Sequence, residues 1–584
     1  MMENAVNIKI NGFDYQVPAG STILEAAHIA GIEIPTLCYL KDINAIGACR
    51  ICVVEVKGAR SLVAACVFPV NEGMEIITNS PKVIEARKTT LKLILSTHKK
   101  ECLSCVRSRN CELQKLCKDY GIEDENAFAG EMINYEIDNT ATHMYRDNSK
   151  CILCRRCVAA CDKLQGCSVI GANARGFDTH IGSPFEYGLG NVACVNCGQC
   201  ITACPTGALS ERDDTQKVFD AINDPEKFVV VQTAPAVRVG LGEEFGYEMG
   251  SVVTGKMVQA LKMLGFDKVF DTNFTADLTI MEEATEFLDR YGKKENLPLI
   301  TSCSPGWIKF CETYYPEFIK NLSSCKSPQG MFGSVAKTYY AEKLGIAPEK
   351  IFVVSIMPCT AKKFEAERLD HTAVKGLADI DVSLTVRELA RMIKKAGINF
   401  NAIPDAEFDA PFGLGSGAGT IFGATGGVME AALRTAYEVV TKKELPDYDA
   451  FKAVRGTDGI KEAEYDLDGA KVRVAVASGL ANAKALLDMV KSGEKSYDFI
   501  EIMACPGGCV NGGGQPIVPA SVRNFSDVKA IRAQGLYNDD KNLPIRMSHL
   551  NEDVKRVYAE YFENPGSHKA HEILHTAYTE RKKY

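Results

Sequence analysis

Apolar and polar residues alternate at the start of the chain. Val6, Ile8 and Ile10 are separated by Asn7 and Lys9, and YQVPAG follows the turn dipeptide Asn11-Gly12. A period of two on either side of Asn-Gly predicts a β-hairpin. STILEAAHIAGI has helical spacing, with Ser21 as the expected N-cap. The loop Cys38–Cys52 comes next, then VVEVKG and SLVAACV as strands. Residues 81–125 are charged and helical. Residues 126–212 hold an internal repeat, CILCRRCVAAC at 151–161 and CVNCGQCITAC at 194–204, around the turn-rich FDTHIGSPFEYGLGN. From about Phe219 the pattern changes. Short apolar runs (FVVVQTAP, LPLITSC, IFVVSIMPC, VRVAVASG, DFIEIMACPGG) alternate with helical stretches such as MVQALKMLGF and VRELARMIKKAG. This predicts buried, mostly parallel strands with helices on both faces. Three of the runs end at Cys303, Cys359 and Cys505. Ligands of open α/β sheets lie beyond the carboxyl ends of strands, so these cysteines are expected to converge. The tail NPGSHKAHEILHTAYTERKKY is polar and helical and is expected to wrap the main domain. The expected boundaries are 1–80, 81–125, 126–212 and 213–584, with the tail unit from about 530.

Composition narrows the chemistry. The chain has 584 residues, 46% hydrophobic and 24% charged, which suits several globular domains that need no disulfide staples. Nineteen of its 23 cysteines fall into five clusters. Such arrays in a long chain point to metal in a reducing compartment. The N-terminus lacks a cationic segment followed by an apolar core, and no apolar run has membrane-spanning length, so a cytoplasmic location is expected. A net charge of −8 argues against nucleic acid as a main partner.

Four clusters have the spacing of electron carriers. Cys38, Cys49, Cys52 and Cys66 form a four-thiolate set on the β-rich segment; a 2Fe-2S cluster needs two thiolates per iron, and zinc also accepts four. This loop resembles the ferredoxin-like domain of respiratory complex I and of iron-only hydrogenases. His98, Cys102, Cys105 and Cys111 taken alone suit zinc; beside iron sites they resemble the His/Cys3 4Fe-4S motif of the same families. The repeated CxxCxxCxxxC is the two-cluster ferredoxin signature, in which each run's fourth cysteine ligates the other cluster. One 4Fe-4S cluster is therefore assigned to Cys151, Cys154, Cys157 and Cys204, and a second to Cys161, Cys194, Cys197 and Cys200. Cys117, Cys167, Cys311 and Cys325 belong to no set and are expected to be packing residues.

TSCSPGW around Cys303, MPCTAKKFE at 357–365 and EIMACPGGCVNGGG at 501–514 resemble the three signature segments of FeFe-hydrogenases. The whole layout is similar to the large clostridial-type enzymes. The resemblance implies a multidomain α/β fold: a β-grasp ferredoxin-like domain, a small helical His/Cys3 domain, a two-cluster ferredoxin domain and a large α/β catalytic domain. It implies an H-cluster, a 4Fe-4S cube joined to a di-iron unit with CO, cyanide and a dithiolate bridge, installed by maturation proteins. Activating dihydrogen requires an electrophilic metal and a base beside it. By match, Cys359, Cys505 and Cys509 ligate the cube, Cys509 bridges to the di-iron unit, and Lys362 pairs with a cyanide. Pro235, Gln329, Met357 and Met503 match residues around the cofactor, and Glu283, Glu286 and Ser323 match the proton path. Glu282, Glu283 and Glu286 share one helical turn, so a carboxylate wire along one face is expected. The implied reaction is reversible dihydrogen oxidation, with ferredoxin or a flavodoxin-type carrier as partner.

The first segment departs from the family pattern, which has two adjacent cysteines before the proline. Here they are Cys303-Ser304. Aligned on Pro305, Ser304 falls at the fourth cube ligand and Cys303 at the thiol that relays protons. Register thus assigns Cys303 to the relay, whereas the preference of iron for sulfur would recruit Cys303 to the cube. The alternative function is a hydrogen sensor with slow turnover, although no kinase, phosphatase or PAS-like segment follows. Loss of the H-cluster, as in hydrogenase-like assembly factors, is opposed by the intact Lys362, Glu283 and GGG segment. No Walker or strand-GxGxxG-helix nucleotide motif is present.

Overall fold

The computed structural model describes residues 5–467 and 469–583. The first hairpin forms between Ala5–Ile10 and Phe13–Pro18. Asn11 and Gly12 take φ of 52° and 91°, left-handed values that an Asn-Gly turn adopts at least cost. Glu75–Ile77, Val53–Val56 and Val63–Ala64 complete a five-stranded mixed sheet. The helix Ile23–Ile29 is capped by Thr22, not Ser21. Thr22 Oγ1 accepts from Glu25 N at 3.2 Å while the Glu25 carboxylate accepts from Thr22 N at 2.8 Å. This capping box needs a glutamate three residues after the cap, and Ser21 would place Leu24 there.

The helices Pro81–Ser96 and Glu112–Asp119 form the charged segment. Leu91, Leu95, Leu113 and Leu116 pack with Leu37 and Ile51 of the preceding cysteine loop. In the repeat, each run turns into a short helix through a left-handed residue, Arg155 before Arg156–Ala159 and Gly198 before Gln199–Ala203. The intervening turn-rich stretch holds only short pairings, such as Gly171–Asn173 with His180–Gly182.

The apolar runs of the large domain divide between two four-stranded sheets. Lys268–Asp271, Phe228–Thr233, Ile351–Met357 and Val382–Thr385 lie in that order, all parallel. Leu299–Ile300, Phe499–Met503 and Ala470–Ser478 run parallel in the second sheet, with Ile460–Leu467 antiparallel at its edge. The helix Thr272–Lys293 is sandwiched between the sheets. Its Phe274 and Leu278 share a core with Val230, Phe270 and Val353 of the first sheet. Its Ala276, Ile280 and Phe287 share another with Val474, Val476 and Phe499 of the second. The tail crosses the large domain as expected: Lys326 N donates to Leu574 O and Thr576 N to Ser324 O, each at 2.8 Å. Among the described residues, no helix is long and apolar enough to cross a membrane.

Candidate active site and relay sites

The carboxyl ends of strands from both sheets open on one cavity with about 790 Å³ of atom-free space. Ala234-Pro235 and Pro358-Cys359 enter it from the first sheet, and Cys303-Ser304 and Ala504-Cys505 from the second. Cys509, Lys362, Met357, Met503 and Gln329 complete the expected lining. Cys303, Cys359, Cys505 and Cys509 are all free thiols. Burial pushes the Cys509 thiol up to about 12, with Cys359 adding to the shift, and raises Cys359 and Cys505 as well. Unpaired thiols, one buried and three half-buried, converging on an otherwise apolar cavity form a donor set suited to an iron cluster, which takes them as thiolates.

Cys303 and Ser304 face different surroundings. The Ser304 hydroxyl accepts from Ala504 N at 3.1 Å, beside Cys505. Although Ser304 starts the helix Pro305–Tyr314, its side chain caps nothing there. Cys303 packs in the core that contains Phe422 and Met503. Its thiol is pushed well up, first by burial and then by the charges of Glu283 and Glu501. Both residues line the cavity, and Cys303 also lies near Cys509.

Lys362 Nζ donates to Ser327 Oγ and to the Glu365 carboxylate, each at 2.7 Å, and to Cys303 O at 3.2 Å. The Gln329 amide donates to Glu365 at 2.9 Å. Ser327 and Glu365 were not singled out in the sequence. Glu365 lies one turn after Lys362 on Ala361–Ala366, a spacing that marks a pair, whereas Ser327 comes from a distant segment.

Burial pushes the Glu283 carboxyl up to about 8, with Glu286 and Glu501 adding and the Ser323 hydroxyl opposing. Ser323 Oγ donates to Glu286 at 3.1 Å, and Glu286 pairs with Arg290 at 2.6 Å. Cys303, Glu283, Ser323, Glu286 and Arg290 thus run outward from the cavity. Glu282 does not join them. It accepts from Tyr558 and meets His575 at 3.0 Å. Neighbours on a helix do not share a face, which separates Glu282 from Glu283. Glu501, also missed, accepts from Gly426 N and Met429 N at 2.7 Å each, holding GATGGVMEAALR against the cavity. A carboxylate inside the otherwise apolar run FIEIMAC was its signal.

The thiols of the Cys38/Cys49/Cys52/Cys66 set and of the two ferredoxin runs also come together. Cys52 and Cys66 sulfurs lie 3.3 Å apart, and Cys38 is within reach of Cys49 and Cys66. His98 is buried with Nδ1 unpartnered, and burial lowers it to about 4, keeping the imidazole neutral and able to ligate. Cys157 lies near Cys151, Cys154 and Cys204, and Cys200 near Cys194 and Cys161, while Cys200 also lies near Cys157 and Cys204 of the other set. Cys197 lines both the second ferredoxin cavity and the catalytic one. Cys167 and Cys311 are buried and Cys117 is half-buried, in keeping with packing, while buried Cys325 also lies 3.7 Å from Glu286.

The chain is 48% identical over 591 residues to the NADP-reducing hydrogenase subunit HndD of Solidesulfovibrio fructosivorans, covering 99% of each chain. It is 46% identical to iron hydrogenase 1 of Clostridium pasteurianum, over 98% of this chain and 99% of that one. The chain belongs to the FeFe-hydrogenases. The iron-only hydrogenase large subunit, C-terminal domain, matches residues 227–513 of this hydrogenase, and the iron hydrogenase small subunit matches 526–581. A 2Fe-2S iron-sulfur cluster binding domain matches 3–81, the NADH-ubiquinone oxidoreductase-G iron-sulfur binding region 87–126, and a 4Fe-4S dicluster domain 150–208. A solved variant of the [FeFe]-hydrogenase HydA1 from Chlamydomonas reinhardtii superposes with TM-score 0.55 at 43% identity, over 62% of this chain and 98% of that one. The enzyme is thus a multidomain α/β hydrogenase with accessory iron–sulfur domains.

Proposed function

We propose that this hydrogenase interconverts dihydrogen with protons and electrons at an H-cluster in the cavity between the two sheets. The observation that carries the reading is the convergence of Cys359, Cys505, Cys509 and Lys362 there, beside the buried Glu283. Cys359, Cys505 and Cys509 would hold the cube, with Ser304 at the fourth position, and Cys509 would also bridge to the di-iron unit. When bound, the group supplies an electrophilic iron pair and a bridge amine that polarise dihydrogen between them. The ammonium of Lys362, fixed by Ser327 and Glu365, presents positive charge to an anionic diatomic ligand. Pro235, Gln329, Met357 and Met503 enclose the site and limit water. The Cys303 thiol passes the proton to Glu283, and Ser323 and Glu286 carry it towards the surface, with Arg290 orienting the Glu286 carboxylate.

Cys38, Cys49, Cys52 and Cys66 would hold one 2Fe-2S cluster, and His98/Cys102/Cys105/Cys111 and the two ferredoxin sets would hold three 4Fe-4S clusters, which would supply one-electron carriers between the cavity and the redox partner. The functional units are 1–80, 81–125, 126–212 and 213–584, with the small-subunit-like tail from about 530. The carrier is a ferredoxin or flavodoxin-type protein in the cytoplasm, and maturation proteins install the di-iron unit. HndD is named as NADP-reducing. This chain has no nucleotide motif, so a nicotinamide carrier would need a partner subunit. A second reading, a slow hydrogen sensor, is favoured by Ser304 alone. The test is hydrogen turnover by the matured protein with reduced dye and then with reduced ferredoxin. Rapid turnover with both supports the enzyme reading; slow turnover with intact clusters supports the sensor; none with intact clusters sinks both.

A further inference from the structure

The cavity around Cys161, Cys194, Cys197 and Cys200 contains polar side chains that the reading above does not use. His143 and Gln165 are each 1% exposed and line it. Neither ring nitrogen of His143 has a hydrogen-bond partner, and neither do the amide oxygen and nitrogen of Gln165. Buried polar side chains almost always find partners, so two orphans beside one thiol set require an explanation. The other polar neighbours each have a donor engaged, although the Gln199 amide oxygen is unpartnered. Arg146 binds Asp138 at 2.8 Å and Ser183 at 3.2 Å, and Gln199 donates to Asn511 O at 2.9 Å. The group assigned to this cavity is rich in acceptors, its thiolates and sulfides offering no proton. An imidazole carries at least one N–H, and a glutamine amide carries two, so both side chains complement sulfur.

We propose that His143 and Gln165 donate N–H···S hydrogen bonds to the 4Fe-4S cluster held by Cys161, Cys194, Cys197 and Cys200, and hold its reduction potential up. This rests on the cluster assignment proposed above. Reduction adds negative charge to the sulfurs, and a donor stabilises the more negative state, so each hydrogen bond favours the reduced form. The position gives this consequence. Cys197 also lines the catalytic cavity, so this cluster is the first station for electrons leaving the active site. A raised potential there pulls electrons outward and biases the enzyme towards dihydrogen oxidation. His143 and Gln165 are positioning residues for the cluster; they touch no substrate.

The test is an EPR-monitored redox titration of the full chain with its clusters loaded, comparing wild type with His143→Leu, Gln165→Leu and the double variant. One 4Fe-4S signal should move to more negative potential while the others stay. In the double variant its reduced-to-oxidised ratio at fixed potential should fall about tenfold, which is about 59 mV for one electron. Gln165→Asn should recover part of the Gln165→Leu shift. Unchanged potentials with full iron content overturn the inference and leave the cluster assignment standing. A wild-type chain without a 4Fe-4S cluster on these cysteines overturns the assignment itself. Should a variant lose the cluster, wild-type protein labelled with 15N-histidine decides the His143 part: the reduced cluster should show a weak nitrogen coupling across the hydrogen bond, and its absence contradicts the proposal.

Discussion

Glu283 concentrates the residue-scale chemistry. Its carboxyl is pushed up to about 8, against about 4.3 for a free glutamate. The folded chain therefore binds this proton more tightly than the unfolded chain. Its contribution to stability is full below about pH 4.3 and is lost as pH rises towards 8. Glu283→Gln should flatten that part of the stability profile, keep the clusters and slow turnover by roughly 10²–10⁴-fold, the usual worth of a proton-transfer group. Thermal unfolding across that window and dye-linked turnover check both expectations; wild-type rates in the variant would remove Glu283 from the path. The surroundings of Cys303 and Ser304 lead to a second prediction. Cys303→Ala should retain infrared bands of metal-bound CO and cyanide and lose most turnover, and Ser304→Cys should raise turnover. Loss of the bands in Cys303→Ala would make Cys303 a ligand instead. The short CxxC spacings were legible in the sequence because a loop of a few residues keeps those thiols together, whereas the meeting of Cys303, Cys359 and Cys505 rested on their shared place at strand ends. The partners of Lys362 were only half legible. Glu365 is local, but Ser327 is brought in by tertiary folding.

At the scale of elements, apolar runs marked the strands but not their partners. Hydropathy reports burial, and a strand buried in either sheet reads alike, so the division into two sheets with Thr272–Lys293 between them was not visible. That helix faces Glu283 towards the cavity and turns Glu282 to the tail. The loop Ser323–Ser327, which supplies partners to Glu286 and Lys362, is anchored by the ion pair Lys326–Asp379 at 2.8 Å, both side chains 2% exposed. Removing one member of a buried pair strands the other charge at a cost of about 3–5 kcal/mol, whereas replacing both by apolar groups is often neutral. Asp379→Ala should therefore lower the thermal transition and weaken retention of the H-cluster. Lys326→Met with Asp379→Leu should recover most of the transition. A single variant as stable as wild type would show that the loop is held elsewhere.

Across the whole molecule, the order of modules was legible, because each cysteine motif is local. Their docking was not, because it rests on close contacts between segments far apart in the chain. The Asn44 side-chain amide donates to Cys38 O at 2.7 Å and Cys154 O at 3.0 Å, tying the 2Fe-2S loop to the first ferredoxin set. Arg107 donates to Cys204 O at 3.0 Å from the His/Cys3 segment. A Cβ on Gly513 would stand 2.2 Å from Cys197 O, so the GGG segment lies flat against the second ferredoxin set. These contacts join the cysteine segments into a series that ends at the catalytic cavity. The central claim is that this cavity holds an H-cluster. An infrared spectrum of the matured protein tests it most directly. Bands in the region of metal-bound CO and cyanide should appear, together with hydrogen turnover on reduced dye; a matured, iron-replete protein with neither would leave the cavity without an H-cluster.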